Sequence, residues 1–446
     1  MSQNSLSVFE FDTVTSKRDR IEHSPDDLTV PAAVFTWLET EALRISESGT
    51  QPWLRLTQRR GVRAVQFASF VGVLRAPDGF QIEVLPKVGK AIGGGQAEAR
   101  QLLIDMLCCL EQFRHVQTDQ AKLLAAHMPL WDVFVTEFLR ATELVVKRGL
   151  HSAYSPVEDN LFALRGKLMM SQHLRDNMFR ADRFFTGFDE FTTDRPENRL
   201  LHSALTKVLQ RSLAHDIQKR ARALTASFAN VPVSQDPVRD FQRILKDRSM
   251  SHYASALAWA RLILSHESPL TGSGSHDAPS LLFPMEAVFE AFVAKHVAKQ
   301  VKPGSTLKTQ VRSLGLVTHK GREWFRMKPD LVITDGEGFQ VALDTKWKLI
   351  DTNEASATDK YGLVQGDLYQ MHAYGHTYLN GVGDLILIYP KSDTFDRPLP
   401  VFEFPQATGL KLWVLPFCLK QKQLEIPWEL EGDDSPLVLS TLSTAL

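Results

Sequence analysis

The segment that most constrains the fold is the stretch 326–349, in which two β-rich runs flank Asp-Gly-Glu-Gly. Asp-Gly between such runs is a strong signal for a β-hairpin. Side chains of a strand alternate between two faces, so Asp344, Lys346 and Lys348 share one face of the second run. An apolar strand with one acid and two amines on a face is unusual, because buried charges need partners. The face is therefore either exposed or a working site.

The first strand of this hairpin contributes Asp330. Directly opposed residues on paired strands point to the same face. A five-residue loop over 335–339 pairs Thr334 with Gln340. That register places Asp330 opposite Asp344, whereas a four-residue loop turns Asp330 away. The chemistry described next requires the odd register.

Two carboxylates whose Cβ atoms lie ~5 Å apart repel each other unless a cation lies between them. Aspartate oxygens suit Mg²⁺, which keeps several waters and is well placed to meet a phosphate. Bound Mg²⁺ lowers the pKa of its water and polarises a phosphoryl oxygen. Lys346 can position the attacking water and neutralise charge in the transition state. The pattern predicts a Mg²⁺ site, held by Asp330 and Asp344, that hydrolyses phosphodiesters.

This spacing resembles the PD-(D/E)xK nuclease motif, with Pro329-Asp330 followed by Asp344-Thr-Lys346. Nucleases of that superfamily commonly add a helix glutamate to the metal site. The amphipathic helix predicted over 283–297 offers Glu290 in the sequence Phe-Glu-x-Phe-Val. The resemblance implies that Glu290 is a third metal ligand, and the alternative is a solvated glutamate.

Gln370 and Tyr374 lie four residues apart on one face of a predicted helix downstream. They resemble the QxxxY motif that follows the catalytic strand in RecB-like nucleases. The resemblance implies that Gln370 hydrogen-bonds near the lysine or the phosphate, with Tyr374 stacked beside it. The alternative is an amphipathic helix with a half-buried aromatic side chain.

Composition bounds the setting of this chemistry. Lys plus Arg number 51 and Asp plus Glu 52, so the net charge of −1 does not indicate a nucleic-acid binder and a basic surface must be local. The three cysteines include the adjacent pair Cys108 and Cys109. A sparse, odd count fits a reducing compartment. The N-terminus has no apolar secretory region, and no apolar stretch reaches the roughly 18 residues of a membrane span. We therefore expect a cytoplasmic protein without a membrane partner.

The 446 residues favour a multidomain α/β protein of about three domains. We predict a β-rich mixed N-terminal domain over 1–115, a helical middle domain over 116–266 and a C-terminal α/β nuclease domain over 281–430. The Gly/Ser/Pro-rich stretch 268–279 is the best linker.

Periodicity and turn signals predict the elements of each domain. In front these are the strands Val62–Val73 and Phe80–Leu85, a hairpin turn over Arg75–Gly79 and the helix Ala97–Phe113. In the middle they are the helices Leu130–Lys147, Asn198–Leu213 and Asp240–Leu264. Behind the linker they are the helices Leu281–Gln300 and Leu363–Tyr378 and the strands Leu307–Leu316, Arg322–Thr334, Phe339–Leu349 and Asp384–Tyr389.

Further segments, in order along residues 60–390, resemble the McrC family of PD-(D/E)xK nucleases. The front stretch 70–90 matches its Val-Gly-Val and Leu-Pro-Lys signature. The middle segments 164–167 and 189–205 match its Leu-Arg-Gly and Asn-Arg…Ala-Leu segments. The nuclease part matches in Phe283-Pro-Met, Phe289-Glu290 and the two catalytic segments. An ordered series of this kind is far more specific than the nuclease triad alone.

The resemblance implies a Mg²⁺-dependent endonuclease subunit of a McrBC-like restriction complex. Such proteins bind a hexameric McrB-like AAA+ GTPase through their N-terminal half and stimulate its GTP hydrolysis. Double-stranded foreign DNA, often with modified cytosine, is then cleaved. The residue that stimulates GTP hydrolysis is not assigned, and Arg59, Arg60, Arg63 and Arg75 are candidates by position alone.

Two other functions are compatible with parts of the sequence. A RecB-like nuclease in DNA repair, acting alone or with a helicase, has the same motif but not the Leu-Pro-Lys region. A non-catalytic adaptor of a ring NTPase is disfavoured because Asp330, Asp344 and Lys346 are all intact.

Overall fold

The computed structural model describes residues 5–17, 28–48, 51–88, 95–110, 128–210, 214–244, 248–264, 281–309, 311, 314–334, 338–356, 358–405, 409–427 and 430. As far as they are described, Met1–Met128 and Ser280–Leu446 together form one compact unit and Pro129–Glu267 forms another. The predicted domains 1–115 and 281–430 thus fall within one unit. No helix in these ranges is long and apolar enough to cross a membrane.

Two four-stranded sheets form the front part of the first unit. Their elements are β1 (Ser5–Phe9), β2 (Thr13–Ser16), β3 (Leu28–Val30), α1 (Ala32–Ser48), β4 (Leu54–Arg59), β5 (Val62–Phe67), β6 (Phe70–Arg75), β7 (Gln81–Leu85) and, after them, α2 (Gly95–Leu107). One sheet has the order β3-β2-β5-β4. The other runs β1-β7-β6, and its fourth strand, next to β6, comes from the segment 281–284 much later in the chain. Buried apolar side chains of both sheets and of α1, such as Val14, Phe35 and Ile82, share one core.

The predicted Asp-Gly hairpin between β6 and β7 is confirmed. Gly79 N donates to the carbonyl of Ala76, and Phe80 N donates to the carboxylate of Asp78 at 3.0 Å. The single strand predicted over Val62–Val73 is wrong, because the chain leaves one sheet after Phe67 and enters the other at Phe70. The helix predicted over Ala97–Phe113 begins at Gly95 and ends at Leu107, and Phe113 lies outside the described residues.

The second unit combines helices with a small antiparallel sheet. Its elements are α3 (Leu130–Arg148), β8 (Ala153–Leu161), β9 (Lys167–Leu168), α4 (Met170–Asn177), β10 (Phe184–Thr192), α5 (Pro196–Leu209), α6 (His215–Ala226), α7 (Pro237–Arg243), a 3₁₀ turn (Arg248–Tyr253) and α8 (Ala254–Leu264). Asn198 fastens the start of α5, because its amide donates to the carbonyls of His151 and Thr193 and accepts from the Tyr253 hydroxyl at 2.7 Å.

The prediction of a mostly helical middle domain does not extend to 153–192, where β8, β10 and β9 form a sheet. Strand β8 (Ala-Tyr-Ser-Pro-Val-Glu-Asp-Asn-Leu) has no fully buried residue, so it lacks the apolar alternation that reveals a strand in sequence. The single helix predicted over Asp240–Leu264 is also wrong. Asp236 caps α7 by accepting from Arg239 N, Pro237 follows the cap, and α7 ends at Arg243.

The back part of the first unit is built on a mixed sheet with the order β12-β15-β16-β17-β19-β18. Its elements are β11 (Leu281–Pro284), α9 (Met285–Val297), β12 (Thr306–Thr309), β13 (Leu314–His319), β14 (Arg322–Met327), β15 (Leu331–Thr334), β16 (Phe339–Thr345), α10 (Gln365–Leu379), β17 (Val382–Pro390), β18 (Phe402–Glu403), β19 (Gly409–Cys418) and β20 (Gln423–Leu424). Strands β15 and β16 are antiparallel, whereas β16, β17 and β19 are parallel. Strand β16 lies between β15 and β17 in this order, so the residues after its carboxyl end emerge from a central strand of the sheet.

Several predicted boundaries change in this region. The helix expected from Leu281 starts only at Met285, because 281–284 pairs with β6 as a fourth strand. The strand expected over Arg322–Thr334 breaks at 328–330, where Pro329 has no N–H for a ladder. Strand Leu307–Leu316 also splits in two, and strand Phe339–Leu349 ends at Thr345. The helix ending near Tyr378 and the strand around Asp384–Tyr389 are confirmed to within two residues.

Gly72 of the Val-Gly-Val segment should be intolerant of substitution. Its φ is +132°, and a Cβ there would lie 1.9 Å from the carbonyl oxygen of Leu281 on the neighbouring strand β11. We expect Gly72→Ala to destabilise the protein by more than about 2 kcal/mol in urea unfolding, because backbone strain and a backbone clash add. Gly61→Ala is the matched control: its φ is +79° and the site is open. Equal loss in both variants would refute the clash.

Candidate functional site

The β15–β16 hairpin brings the two predicted aspartates to one side of the sheet. Leu331 pairs with Leu343 and Ile333 with Val341, which is the odd register predicted from the chemistry. Thr334, however, pairs with Phe339, so the turn is one residue shorter than predicted. A β-bulge next to Thr334 inserts the missing residue and restores the register.

Asp330 immediately precedes β15, and its carboxylate bridges to the end of β16. Its Oδ2 accepts hydrogen bonds from the backbone N–H of Thr345 at 2.8 Å and from the Thr345 hydroxyl at 2.7 Å. Within the described chain Oδ1 has no hydrogen-bond partner. One oxygen therefore fixes the orientation of the carboxylate, and the other is available to a ligand.

Asp344 is the buried acid of the site, with 2% of its surface exposed. Burial, followed by the charge of Asp330, raises its pKa to about 7, and Lys346 opposes this shift. Lys346 Nζ lies 2.7 Å from Asp344 Oδ2 as an ion pair. The buried Oδ2 therefore contacts an ammonium and has no other donor among the described residues. A buried carboxylate oxygen of this kind is suited to a cation.

Lys346 is held as an ammonium. Burial lowers its pKa, but Asp344, then Asp367 and Asp330, outweigh burial and leave the pKa above its ordinary value. Its Nζ donates to Oε1 of Gln370 at 3.1 Å and lies 3.7 Å from a carboxylate oxygen of Asp367. A persistent positive charge at this position can stabilise negative charge that develops on a substrate.

Gln370 and Tyr374, predicted from their spacing, link the lysine to the backbone beside Asp330. Gln370 Nε2 donates to the Tyr374 hydroxyl at 2.6 Å, and that hydroxyl donates to the carbonyl oxygen of Lys328 at 2.9 Å. Tyr374 is therefore hydrogen-bonded to Gln370, and it is fully buried rather than half-buried. Burial raises its pKa, so the hydroxyl stays protonated and can donate.

Glu290 on α9 faces the two aspartates. Burial, then the charge of Asp330, raises its pKa to about 7, with Lys328 opposing and Asp344 adding to the rise. It has no hydrogen bond or ion pair with a described residue. No three His, Cys, Asp or Glu side chains in the described ranges are close enough together to form a ready metal cluster. The charges of Asp330 and Asp344 thus raise the pKa of Glu290, but the three carboxylates do not converge on one point.

Sequence reasoning missed Asp367, which lies 3.4 Å from Lys348 Nζ as well as near Lys346. The spacing contains its signal: Asp367 precedes Gln370 by three residues, so Asp367, Gln370 and Tyr374 follow one stripe of α10. Lys348 lies on the side of Asp344 and Lys346, as strand alternation predicted.

A second missed feature is the buried carboxylate of Glu10, which holds Trp347 next to Lys346. The indole Nε1 donates to both carboxylate oxygens at 3.1 and 3.0 Å. Ser69 Oγ and Lys87 N also donate to Glu10, each at 3.1 Å. Lys87, the lysine of the Leu-Pro-Lys segment, donates through Nζ to the carbonyl of Trp347 at 3.3 Å. Glu10 and Lys87, from the front part of the unit, therefore fix the position of Trp347, which follows the predicted catalytic lysine.

Comparison with known proteins adds a family and a shared fold. A family sequence profile described as "McrBC 5-methylcytosine restriction system component" matches residues 65–390. The chain is similar to one in a refined half-complex from a tetradecameric assembly of Thermococcus gammatolerans McrB AAA+ hexamers with bound McrC. The TM-score is 0.65 at 18% identity, over 93% of this chain and 94% of that one. A chain of the Thermococcus gammatolerans McrBC complex, solved by cryo-electron microscopy, gives a TM-score of 0.48 at 19% identity, over 65% and 85%. No curated protein matches.

Glu10 should make stability depend on pH. Burial raises its pKa from 4.5 to about 7, with Lys87 opposing, so the folded protein binds more protons there than the unfolded chain between those values. Its contribution to stability therefore falls as pH rises through this window, by on the order of 3 kcal/mol. We expect Glu10→Gln to reduce the difference in unfolding free energy between pH 5 and 8 by about that amount. The exposed Glu403→Gln is the control, and an unchanged pH profile in Glu10→Gln would contradict the assignment.

Proposed function

The chain belongs to the family of McrBC 5-methylcytosine restriction system components, and on that premise we propose that it is the nuclease subunit of such a system. It cleaves double-stranded DNA by metal-dependent hydrolysis, in complex with an AAA+ GTPase hexamer whose GTP hydrolysis it stimulates. The observation that supports this most strongly is the buried Asp344 carboxylate, paired with the half-buried Lys346 ammonium beside Asp330 at the end of a central strand.

The partner is inferred from the shared fold. One structure that is similar in fold contains McrB AAA+ hexamers with bound McrC, and the similarity extends over 93% of the present chain. Binding to a McrB-like hexamer follows from this likeness and from membership of the family. The cleavage of modified DNA follows from the family description in the same way.

The acids of the site fit a divalent cation of the Mg²⁺ type. Asp344 Oδ2 is buried and is already in contact with a cationic group, the Lys346 ammonium, and Asp330 Oδ1 has no hydrogen bond in the described chain. Glu290 is the third candidate ligand, because it is partly buried on α9 within the electrostatic influence of both aspartates: burial, then the charge of Asp330, raises its pKa to about 7. Mg²⁺ prefers such oxygen ligands and, when bound, supplies a more acidic water and a polarised phosphoryl oxygen.

The remaining residues position and balance charge. The Lys346 ammonium is directed toward the acids and neutralises negative charge on a phosphate bound beside them. Gln370 Oε1 accepts a hydrogen bond from the ammonium, and the Tyr374 hydroxyl accepts one from Gln370 Nε2. Because Tyr374 also binds the carbonyl of Lys328, Lys346 and the segment that leads into β15 are fixed to the same helix. This division of labour requires no change in the protonation state of Lys346.

The three charged residues should each be essential for cleavage. We expect Asp330→Asn, Asp344→Asn and Lys346→Met each to lower the rate of double-strand cleavage by about 100-fold or more, since each removes a charge needed at the phosphate. The measurement is cleavage of modified plasmid DNA by the full chain with its AAA+ partner, GTP and Mg²⁺.

Asp396→Asn and Lys411→Met are matched controls, because both residues are exposed. All variants should still bind the partner and stimulate its GTPase. Unimpaired cleavage by the three site variants would eliminate the nuclease assignment and favour a non-catalytic adaptor. Degradation of DNA ends by the chain alone, without nucleotide, would favour a RecB-like repair nuclease.

Cation binding should be detectable without catalysis. Mg²⁺ is expected to raise the melting temperature of the wild-type protein and to leave that of Asp344→Asn unchanged, because a cation that binds only the folded state stabilises it. Protons compete with the cation, since the pKa of Asp344 and of Glu290 is about 7. The apparent affinity should therefore increase from pH 6 to pH 8. Asp396→Asn should respond like the wild type, and an equal response of Asp344→Asn would place the cation elsewhere.

A further inference from the structure

Strands β13 and β14 form a two-stranded arm that pairs with no other described strand. Its tip is a tight turn in which Lys320 and Gly321 both have positive φ, +49° and +74°, as a two-residue hairpin of type I′ requires. Every residue from 316 to 326 is exposed, on both faces of the ribbon. An isolated two-stranded hairpin is marginally stable in water. We therefore expect a binding partner to cover this arm when the protein is active.

The base of the arm is fastened next to the candidate site. The Tyr378 hydroxyl accepts from Leu314 N at 3.1 Å and donates to the carbonyl of Met327 at 2.8 Å, so it clamps both strands. Tyr374 holds the carbonyl of Lys328, the next residue. Asp330 follows two positions later. The arm therefore extends roughly 17 Å from a base that is continuous with the predicted catalytic strand.

The arm displays a cluster of rings. Trp324 and His319 meet edge to face with centroids 5.0 Å apart, and Trp324 and Phe325 have centroids 6.5 Å apart. Neighbouring residues of a regular strand point to opposite faces, but Phe325 has a φ of +52°, which brings its ring toward that of Trp324. Trp324 is 48% exposed and Phe325 70%. Large aromatic side chains exposed in a group indicate a contact surface rather than a core.

The charges of the arm are mainly positive. The arm and its base contain one acid, Glu323, and four lysines and arginines: Lys320, Arg322, Arg326 and Lys328. Arg322 and Arg326 make no ion pair or side-chain hydrogen bond with a described residue. Arg322 lies on the same side of the ribbon as Trp324, since Arg322 pairs with His319 and Trp324 with Val317. Unpaired guanidinium groups beside exposed rings match the negative backbone and the bases of a nucleic acid.

We propose that this arm binds duplex DNA next to the bond that is cut, which rests on the proposed function. Arg322 and Arg326 contact phosphates, and Trp324 and Phe325 pack against the base edges. A two-stranded β-ribbon fits the major groove, whose width is about 12 Å. Because α10 holds the base of the arm and the backbone of Lys328, two residues before Asp330, the arm fixes the position of the phosphate relative to the acids.

The test is duplex binding by the full chain, measured by fluorescence anisotropy without divalent cation from 50 to 300 mM salt. Each phosphate contact contributes about 0.9 to the slope of log affinity against log salt. We expect Arg322→Ala/Arg326→Ala to reduce the slope by about two and to weaken binding by on the order of tenfold to 100-fold at 0.1 M salt. Trp324→Ala/Phe325→Ala should weaken binding with the slope unchanged. All four residues are exposed, so melting temperatures should stay constant.

Arg397→Ala/Lys411→Ala is the matched control, because it removes two exposed positive charges of the same unit and should leave both affinity and slope unchanged. Wild-type affinity and slope in the Arg322/Arg326 variant would overturn the proposal, as would loss of AAA+ partner binding with DNA binding intact. Failure of the proposed function would give a different result: the Asp344→Asn variant would cleave DNA normally, whatever the arm variants do.

Discussion

The burial of the Asp344 carboxylate is the constraint on which the rest of the site depends. A charged group at the end of a central strand loses its hydration, and this cost is offset only by partners that are equally well placed. Lys346 supplies the opposite charge, and its own desolvation is offset in turn by Asp367 and Gln370. The result is a compact set of charges in which the pKa of Asp344 is raised and the Lys346 ammonium stays charged. A site in this state can accept a cation by releasing protons.

One stripe of helix α10 organises the surroundings of these charges. Asp367 contacts both lysines, Gln370 holds Lys346, Tyr374 holds the backbone before Asp330, and Tyr378 clamps the arm. These residues recur at three- and four-residue steps, which place them along a single face. Because a helix is stiff over this length, the lysine, the acid-bearing strand and the arm keep fixed relative positions.

The front sheets form part of the site through Trp347. Glu10 and Lys87 lie far from Trp347 in sequence, yet both contact it directly. The Leu-Pro-Lys segment thus has a structural role in the described chain: its lysine lies over the rings of Phe11 and Trp347 and holds the backbone after the predicted catalytic lysine. The Val-Gly-Val segment has a comparable role, because Gly72 permits the close approach of β11, the strand that leads into the helix bearing Glu290. Family segments that sequence analysis treated as separate signatures therefore support one site.

Local spacing determined which residues share a face. From sequence alone, alternation placed Asp344, Lys346 and Lys348 together, and the four-residue step paired Gln370 with Tyr374, because both periodicities are properties of the backbone of a single element. Only the tertiary structure decided how those faces meet: the bulge that corrects a short turn, the strand β11 that joins a distant sheet, the barely buried strands of the middle unit, and the contacts of Glu10 and Asp367. Each of these depends on residues far apart in the chain, and the free energy of burying a charge or closing a sheet edge is set by the partner found there, which no local pattern specifies.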